Sequence, residues 1–363
     1  MVQLFSMKKV MIAAGGTGGH IYPALALAET IAELKPTSEV CFFGSSNRME
    51  AEIIPNKGYQ FYGIDMSGMN GGIVDKFKSL TSLLKGIQYC RKVLKVEKPD
   101  VCVGFGNYIS VPLIIAAHQL KIPTMIHEQN SFVGKANKLL AKYADAIVGC
   151  YETNLIDFPK EKTRLLGNPE ASIVAKLPMD KSIIQEYGLD IEKPFVVFVM
   201  GSLGSSSVAK VIDESCSKFD ESYQVLIVTG KANDYEFQTK KENVFIVPYI
   251  DGPKVLRVAN LAVTRAGATT LAEITALGVP VVLIPSPYVP NNHQVQNAME
   301  LVNKEAAIMI EEKDLSVDSL STVVNELMKN EEERNRMKEN ALQLGKVNAA
   351  NDMVKWLEDL TQR

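Results

Sequence analysis

His20 stands directly behind four glycines, in Gly15-Gly16-Thr17-Gly18-Gly19-His20, between an apolar run at 10–14 and a helix-forming stretch at 21–34. Glycines at such a junction let the backbone turn tightly and approach a ligand closely. The helix start behind them offers unpaired N–H groups and a partial positive charge, which suits a phosphate or sugar diphosphate. The same field disfavours an imidazolium, so His20 should stay neutral and able to take a proton from a hydroxyl. Capping of the helix would explain the residue equally well. The spacing is neither the dinucleotide fingerprint nor a Walker loop.

Other groups with chemical potential follow apolar runs. Glu128 and Asn130 come in His127-Glu128-Gln129-Asn130, where a carboxylate and an amide can hold sugar hydroxyls, although Asn130 and Ser131 are also turn formers. Gly104-Phe105-Gly106-Asn107-Tyr108 ends another such run. A second Gly/Ser loop, 201–207, precedes a helix and suits a phosphate. Glu273 lies three residues after Thr270; it either completes a capping box with Thr270 as N-cap or accepts both hydroxyls of a ribose. His118, His127 and His293 are too scattered for a metal site, no Asp-x-Asp pair occurs, and no G-x-S-x-G elbow marks a hydrolase. No metal and no cofactor are expected.

Short apolar strands alternating with helices must position these groups. Runs near 40–44, 59–64, 99–104, 123–126 and 146–149 alternate with helical stretches, and the pattern restarts at 195–200 after an irregular segment containing two prolines, at 170–194. Such alternation predicts parallel, doubly wound sheets with ligands outside the strands' carboxyl ends. At 363 residues the chain should form two α/β domains facing each other across a cleft. Net charge −3 argues against a nucleic-acid binder. The five cysteines read as reduced thiols, no run is long enough for a spanning helix, and 1–6 reads as a loose extension. Gly68, Gly71 and Gly72 suggest a loop. Beyond it Ile73, Phe77, Leu80 and Leu84 lie among lysines that include Lys85, which suits either an interfacial helix or a core helix with a basic outer face.

Taken together, residues 15–20, His127–Asn130 in sequence, Gly167-Asn168-Pro169 and the run from Arg265 to Glu273 resemble the MurG family of peripheral glycosyltransferases, from position 8 to about 360. The resemblance implies the GT-B fold: an acceptor and membrane domain at 1–166, a boundary at 167–194, a UDP-GlcNAc domain at 195–342, and a helix at 343–363 returning to the first domain. It implies inverting transfer of N-acetylglucosamine from UDP-GlcNAc to the C4 hydroxyl of MurNAc in lipid I, giving lipid II for peptidoglycan synthesis. The partners are then UDP-GlcNAc, lipid I, an anionic membrane surface at the cytoplasmic face of the cell membrane, and membrane-bound cell-wall proteins.

By the same resemblance His20 is the base, with Glu128 beside it as a catalytic carboxylate. Thr17, Gly18, His20, Gly104 and Tyr108 line the acceptor side. Thr17, Gly18, Gly19 and Asn130 also reach the donor. Ser202 meets the diphosphate and Ile250 the uracil. Ala268, Thr269 and Thr270 give a helix N-terminus, Glu273 binds ribose, and His293 and Gln294 meet the donor sugar. An arginine common after Gly-Asn-Pro is replaced by Glu170 and Ala171, and a common asparagine by Ala209; Arg164 or Arg265 would have to compensate. A UDP-GlcNAc 2-epimerase, a diglyceride glycosyltransferase and a non-catalytic nucleotide-sugar sensor are the alternatives.

Overall fold

The computed structural model describes residues 7–65, 73–201, 206–230 and 234–362, with backbone alone at 73–79 and 290. The extension at 1–6, the loop around Gly68, Gly71 and Gly72, Ser202, and the side chains of Ile73 and Phe77 lie outside that description. Contacts divide the chain into two units, one of residues 1–172 with 347–363 and one of 173–346.

The first unit carries β1 (Lys9–Ala13), α1 (Gly18–Leu34), β2 (Glu39–Ser45), α2 (Glu50–Asn56), β3 (Gln60–Ile64), α3 (Ile73–Glu97), β4 (Val101–Phe105) and α4 (Ser110–Gln119). It continues through β5 (Thr124–Glu128), α5 (Lys135–Leu140), β6 (Ala146–Gly149), α6 (Asn154–Asp157), β7 (Thr163–Leu165) and α7 (Glu170–Val174), which runs across the division. The strands form one parallel sheet in the order β3-β2-β1-β4-β5-β6-β7. They are near-continuous apolar runs because both sheet faces are covered. Val10, Ile12 and Val103 join a core with Ile21, Leu25 and Ala28 of α1. Met11, Cys102 and Ile126 face the opposite core with Leu113 and Ala117 of α4. Strand order reverses between β1 and β4, and the loops after those two strands open at the switch point, where ligands bind in such sheets.

The second unit repeats the plan with β8 (Phe195–Val199), α8 (Ser206–Ser215), β9 (Gln224–Val228), β10 (Val244–Val247), α9 (Gly252–Val258), β11 (Leu261–Thr264) and α10 (Ala268–Leu277). Then come β12 (Val281–Leu283), α11 (His293–Val302), β13 (Ala307–Met309), α12 (Val317–Lys329) and α13 (Glu331–Leu344). Its sheet is parallel, ordered β10-β9-β8-β11-β12-β13, with the reversal between β8 and β11. A last helix, α14 (Ala349–Thr361), packs Met353, Val354, Trp356, Leu357 and Leu360 into the α1 core of the first unit.

Some elements differ from the sequence reading. Helix α1 starts at Gly18, three residues earlier than expected, and carries Pro23 within it, which cannot donate back to Gly19. Asn330 separates α12 from α13, and its side chain accepts from Glu333 N at 3.0 Å and caps α13.

Candidate active site

A buried acid holds the glycine loop from beneath. Glu50, at the start of α2, accepts from Gly16 N at 3.1 and 3.2 Å and from Ser45 N at 3.0 Å. A Cβ on Gly15 would sit 2.2 Å from Glu50 Oε1, so this glycine is required by the carboxylate. Gly16 has φ +84°, and a Cβ there would meet Asn107 Nδ2 at 2.8 Å. Asn107 donates to Gly15 O and accepts from Ile109 N at 2.7 Å, tying the β1 loop to the β4 loop. Neither Glu50 nor Asn107 carries a motif that points to the loop; each reaches it only because β2 and β4 flank β1.

His20 is the third residue of α1 and half-buried, behind the N-cap Thr17. Its Nδ1 lies 2.9 Å from Thr17 Oγ1. With Nδ1–H donated to that hydroxyl, Nε2 keeps its lone pair and can act as a base. The ring rests on Gly106, which has φ +59°; a Cβ there would meet His20 Cδ2 at 2.8 Å, His20 Nε2 at 3.0 Å and Gln129 Oε1 at 3.4 Å. His127, one strand over, is fully buried, and Nε2 bonds Gly167 O at 3.1 Å. Burial pushes its pKa down to about 4, so it is neutral at physiological pH. Gly104 lies on β4 against Ser110, and the Tyr108 hydroxyl is buried without a partner.

Glu128 is buried, and that burial raises its pKa against the hydrogen bonds that oppose it. It accepts from Asn130 N at 3.1 Å, Gly134 N at 3.0 Å and Asn137 Nδ2 at 2.9 Å. Those bonds tie the carboxylate to its own loop, whose turn carries Asn130. Fully buried Asn154 completes the frame: it accepts from Cys150 N and Tyr151 N and donates to Asn130 O at 3.0 Å and Ser131 O at 3.2 Å.

Glu170, at the start of α7, has its pKa raised to about 7 by burial and by Glu29, partly offset by Lys57. An acid whose folded pKa lies above its unfolded value near 4.5 binds extra proton on folding between the two, so its contribution to stability declines as pH rises through that window. Glu170→Gln should leave stability unchanged near pH 4.5 and raise it by on the order of 1–3 kcal/mol at pH 8, read by urea unfolding at both pH values.

In the second unit α10 follows β11 at the switch point. Its N-cap is Gly267 (φ −69°, ψ 138°), and no side chain caps it. The capping box expected from Thr270 and Glu273 is therefore absent: Thr270 is the third helical residue, and Gly267 O already accepts from Leu271 N at 2.9 Å. This leaves Ala268, Thr269 and Thr270 at a helix start open to an anion, with Thr269 Oγ1 buried and unpartnered and Glu273 half-buried one turn on. Ile250 is buried ahead of α9. His293 opens α11, and Gln294 Oε1 accepts from Ser286 N at 2.8 Å.

Neither arginine considered as a substitute for the missing one is uncommitted. Arg265 is buried, donating to Ile284 O at 3.0 Å and Glu312 at 2.9 Å, and Arg164 stacks 4.3 Å over the Trp356 ring. Among the described residues one trio of metal-type ligands comes together, Glu39, Cys41 and Glu97. Lys9 Nζ bonds both acids, at 2.9 and 2.6 Å, and serves as their cation.

Residues 10–148 match the glycosyltransferase family 28 N-terminal domain, and residues 195–355 match the family's C-terminal domain. The chain belongs to glycosyltransferase family 28. A relative from Pediococcus pentosaceus, a UDP-N-acetylglucosamine--N-acetylmuramyl-(pentapeptide) pyrophosphoryl-undecaprenol N-acetylglucosamine transferase, is 39% identical over 363 residues, covering 98% of this chain and all of that one. A transferase of the same name from Bacillus cereus is 40% identical over 364 residues, with the same coverage. The crystal structure of Acinetobacter baumannii MurG is similar with a TM-score of 0.77 at 26% identity, covering 97% of this chain and 99% of that chain. Two Rossmann-like units of this kind in one family 28 chain are the GT-B fold. A putative UDP-N-acetylglucosamine 2-epimerase from Listeria monocytogenes, at 14% identity and TM-score 0.71 over 96% of this chain and 95% of that chain, shares that fold alone.

Proposed function

We propose that the chain transfers N-acetylglucosamine from UDP-N-acetylglucosamine to the C4 hydroxyl of MurNAc in lipid I, giving lipid II and UDP. The observation that carries this is end-to-end identity of 39–40% with transferases named for that reaction. His20 Nε2 takes the hydroxyl proton as O4 attacks C1 from the face opposite UDP. The C1–O bond to the diphosphate breaks, and the centre inverts to a β-1,4 link. On the donor side the start of α10 with Thr269 and Thr270, together with Ser202, receives the diphosphate. Glu273 takes the ribose, the Ile250 backbone the uracil, and His293 and Gln294 the sugar. Fixed N–H groups at a helix start stabilise charge as it develops on the leaving group. Thr17, Gly18, Gly104 and Tyr108 wall the acceptor side, and Thr17, Gly18, Gly19 and Asn130 also reach the donor.

Incubation with radiolabelled UDP-N-acetylglucosamine and a lipid I analogue tests the assignment: label in a lipid II product is expected. Free UDP with epimerised sugar, or binding without transfer, would overturn it.

The acceptor's lipid requires work at a membrane. No helix among the described residues is long and apolar enough to cross one. On α3, Leu80 and Leu84 are 53% and 54% exposed, beside exposed Lys85. Apolar side chains entering the headgroup boundary, with lysines on anionic headgroups, would dock the first unit on the cytoplasmic face. Leu80→Ser with Leu84→Ser should cut co-sedimentation with anionic vesicles about tenfold or more, since each buried side chain is worth about 1.5–3 kcal/mol. Unchanged pelleting would remove this surface from consideration.

A further inference from the structure

We propose that Gln129 is a positioning residue for His20, its side-chain carbonyl stabilising the ring edge that becomes positive when His20 takes the acceptor's proton. This rests on the reading of His20 as the base. Gln129 is only 5% exposed, and its Oε1 is buried with no donor. That oxygen and the Nε2–Cδ2 edge of His20 converge over Gly106, at 3.4, 3.0 and 2.8 Å from the point where a Cβ would stand. A side chain at 106 would displace both, and φ +59° favours glycine there.

An acceptor left without a donor in a buried place is costly in the resting state. The cost is offset if positive charge develops nearby during the reaction. O4–H breaks, its proton goes to Nε2, and the electron pair forms O4–C1 as UDP leaves with the C1–O pair. The imidazole then carries a full positive charge, with Nδ1–H held on Thr17 Oγ1 at 2.9 Å. A carbonyl dipole already fixed beside the other edge needs no reorganisation to stabilise that charge.

The titratable groups on the loops and strand ends around His20 are Glu50, Tyr108, His127 and Glu128. Glu50 spends its oxygens on Gly16 and Ser45 amides. Glu128 spends its own on Asn130, Gly134 and Asn137. His127 turns Nε2 to Gly167 O, and burial keeps it neutral. Among the described residues the Gln129 carbonyl is thus the orphaned acceptor set over Gly106 with that ring edge.

The test compares kcat and the pH profile of kcat/KM for the full chain and for Gln129→Met and Gln129→Glu, with melting temperature and UDP affinity measured alongside. Gln129→Met should lower kcat about tenfold to hundredfold. It should leave UDP affinity unmoved and shift the acid limb to lower pH, because the imidazolium has lost its support. Gln129→Glu keeps an acceptor and adds negative charge; it should recover turnover relative to Gln129→Met and shift the acid limb to higher pH. If neither variant moves the limb, Gln129 is structural and the proposal fails, whatever its effect on turnover or melting. A His20→Ala variant with wild-type turnover would instead overturn the base assignment itself, so the two failures are distinguishable.

Discussion

His20→Ala is expected to reduce kcat by about 10²–10⁴-fold, the range of a single general base, while UDP affinity stays at the wild-type value. The second half follows from the division of labour: the residues assigned to the uracil, ribose and diphosphate lie on 195–355, whereas His20 is the third residue of α1 in the first unit. Loss of the imidazole removes the group that takes the O4 proton but leaves Thr17 and the glycine loop, which Glu50 and Asn107 hold independently of the ring. Single-turnover transfer with isothermal titration of UDP separates the two quantities. Undiminished transfer would require another base, and His127, which interacts electrostatically with His20, is fully buried with Nε2 on Gly167 O.

Glu50→Ala should be the most damaging substitution outside the reacting groups. It strips the acceptor from Gly16 N and Ser45 N and leaves a cavity under the loop where the side chain was fully buried. Each orphaned buried amide costs about 1–3 kcal/mol, so a loss of roughly 3–5 kcal/mol in the first unit's stability is expected, with turnover lost as the Gly15–Gly16 backbone relaxes. Glu50→Gln keeps one acceptor oxygen and should recover part of both. Hydrogen exchange at Gly16 and Ser45 would read the effect locally. Protection unchanged in Glu50→Ala would mean that the loop is held by other contacts.

The two effects mark how far the sequence could be read. His20 was visible because the glycines, the strand before it and the helix behind it are contiguous, and local signals of that kind survive in one dimension. Strands buried on both faces were likewise visible as apolar runs. Glu50 was not, because its meaning comes from β2 lying beside β1, a neighbour relation decided by the winding of the sheet. Asn107 and Asn154 share that character: their partners lie on adjacent strand ends. Three-residue β7 and β13 are too short for any periodicity to announce them. The capping box that Thr270 and Glu273 also allowed fails for the opposite reason. Their spacing fits a cap, but Gly267 can begin the helix without a side chain, and the apparent box falls inside it. Glu128 reads as chemistry in sequence, and what the sequence does not show is that its hydrogen bonds also fix the turn carrying Asn130.

The return of α14 to the first unit has a consequence for synthesis on the ribosome. The α1 core takes Met353, Trp356 and Leu357 from a helix that lies in the chain beyond the whole of 173–346. At roughly 5–20 residues per second, the interval between emergence of the first unit's strands and of α14 is roughly ten to thirty-five seconds. Throughout that time the second unit can complete its own core while the α1 face, with Ile21, Leu25 and Ala28, still lacks its cover. The nascent chain therefore offers an apolar stripe to chaperones, or to other nascent chains, until its last helix arrives. A shortened chain lacking 347–363 should remain in that state, with a folded second unit attached to a first unit that binds hydrophobic dye.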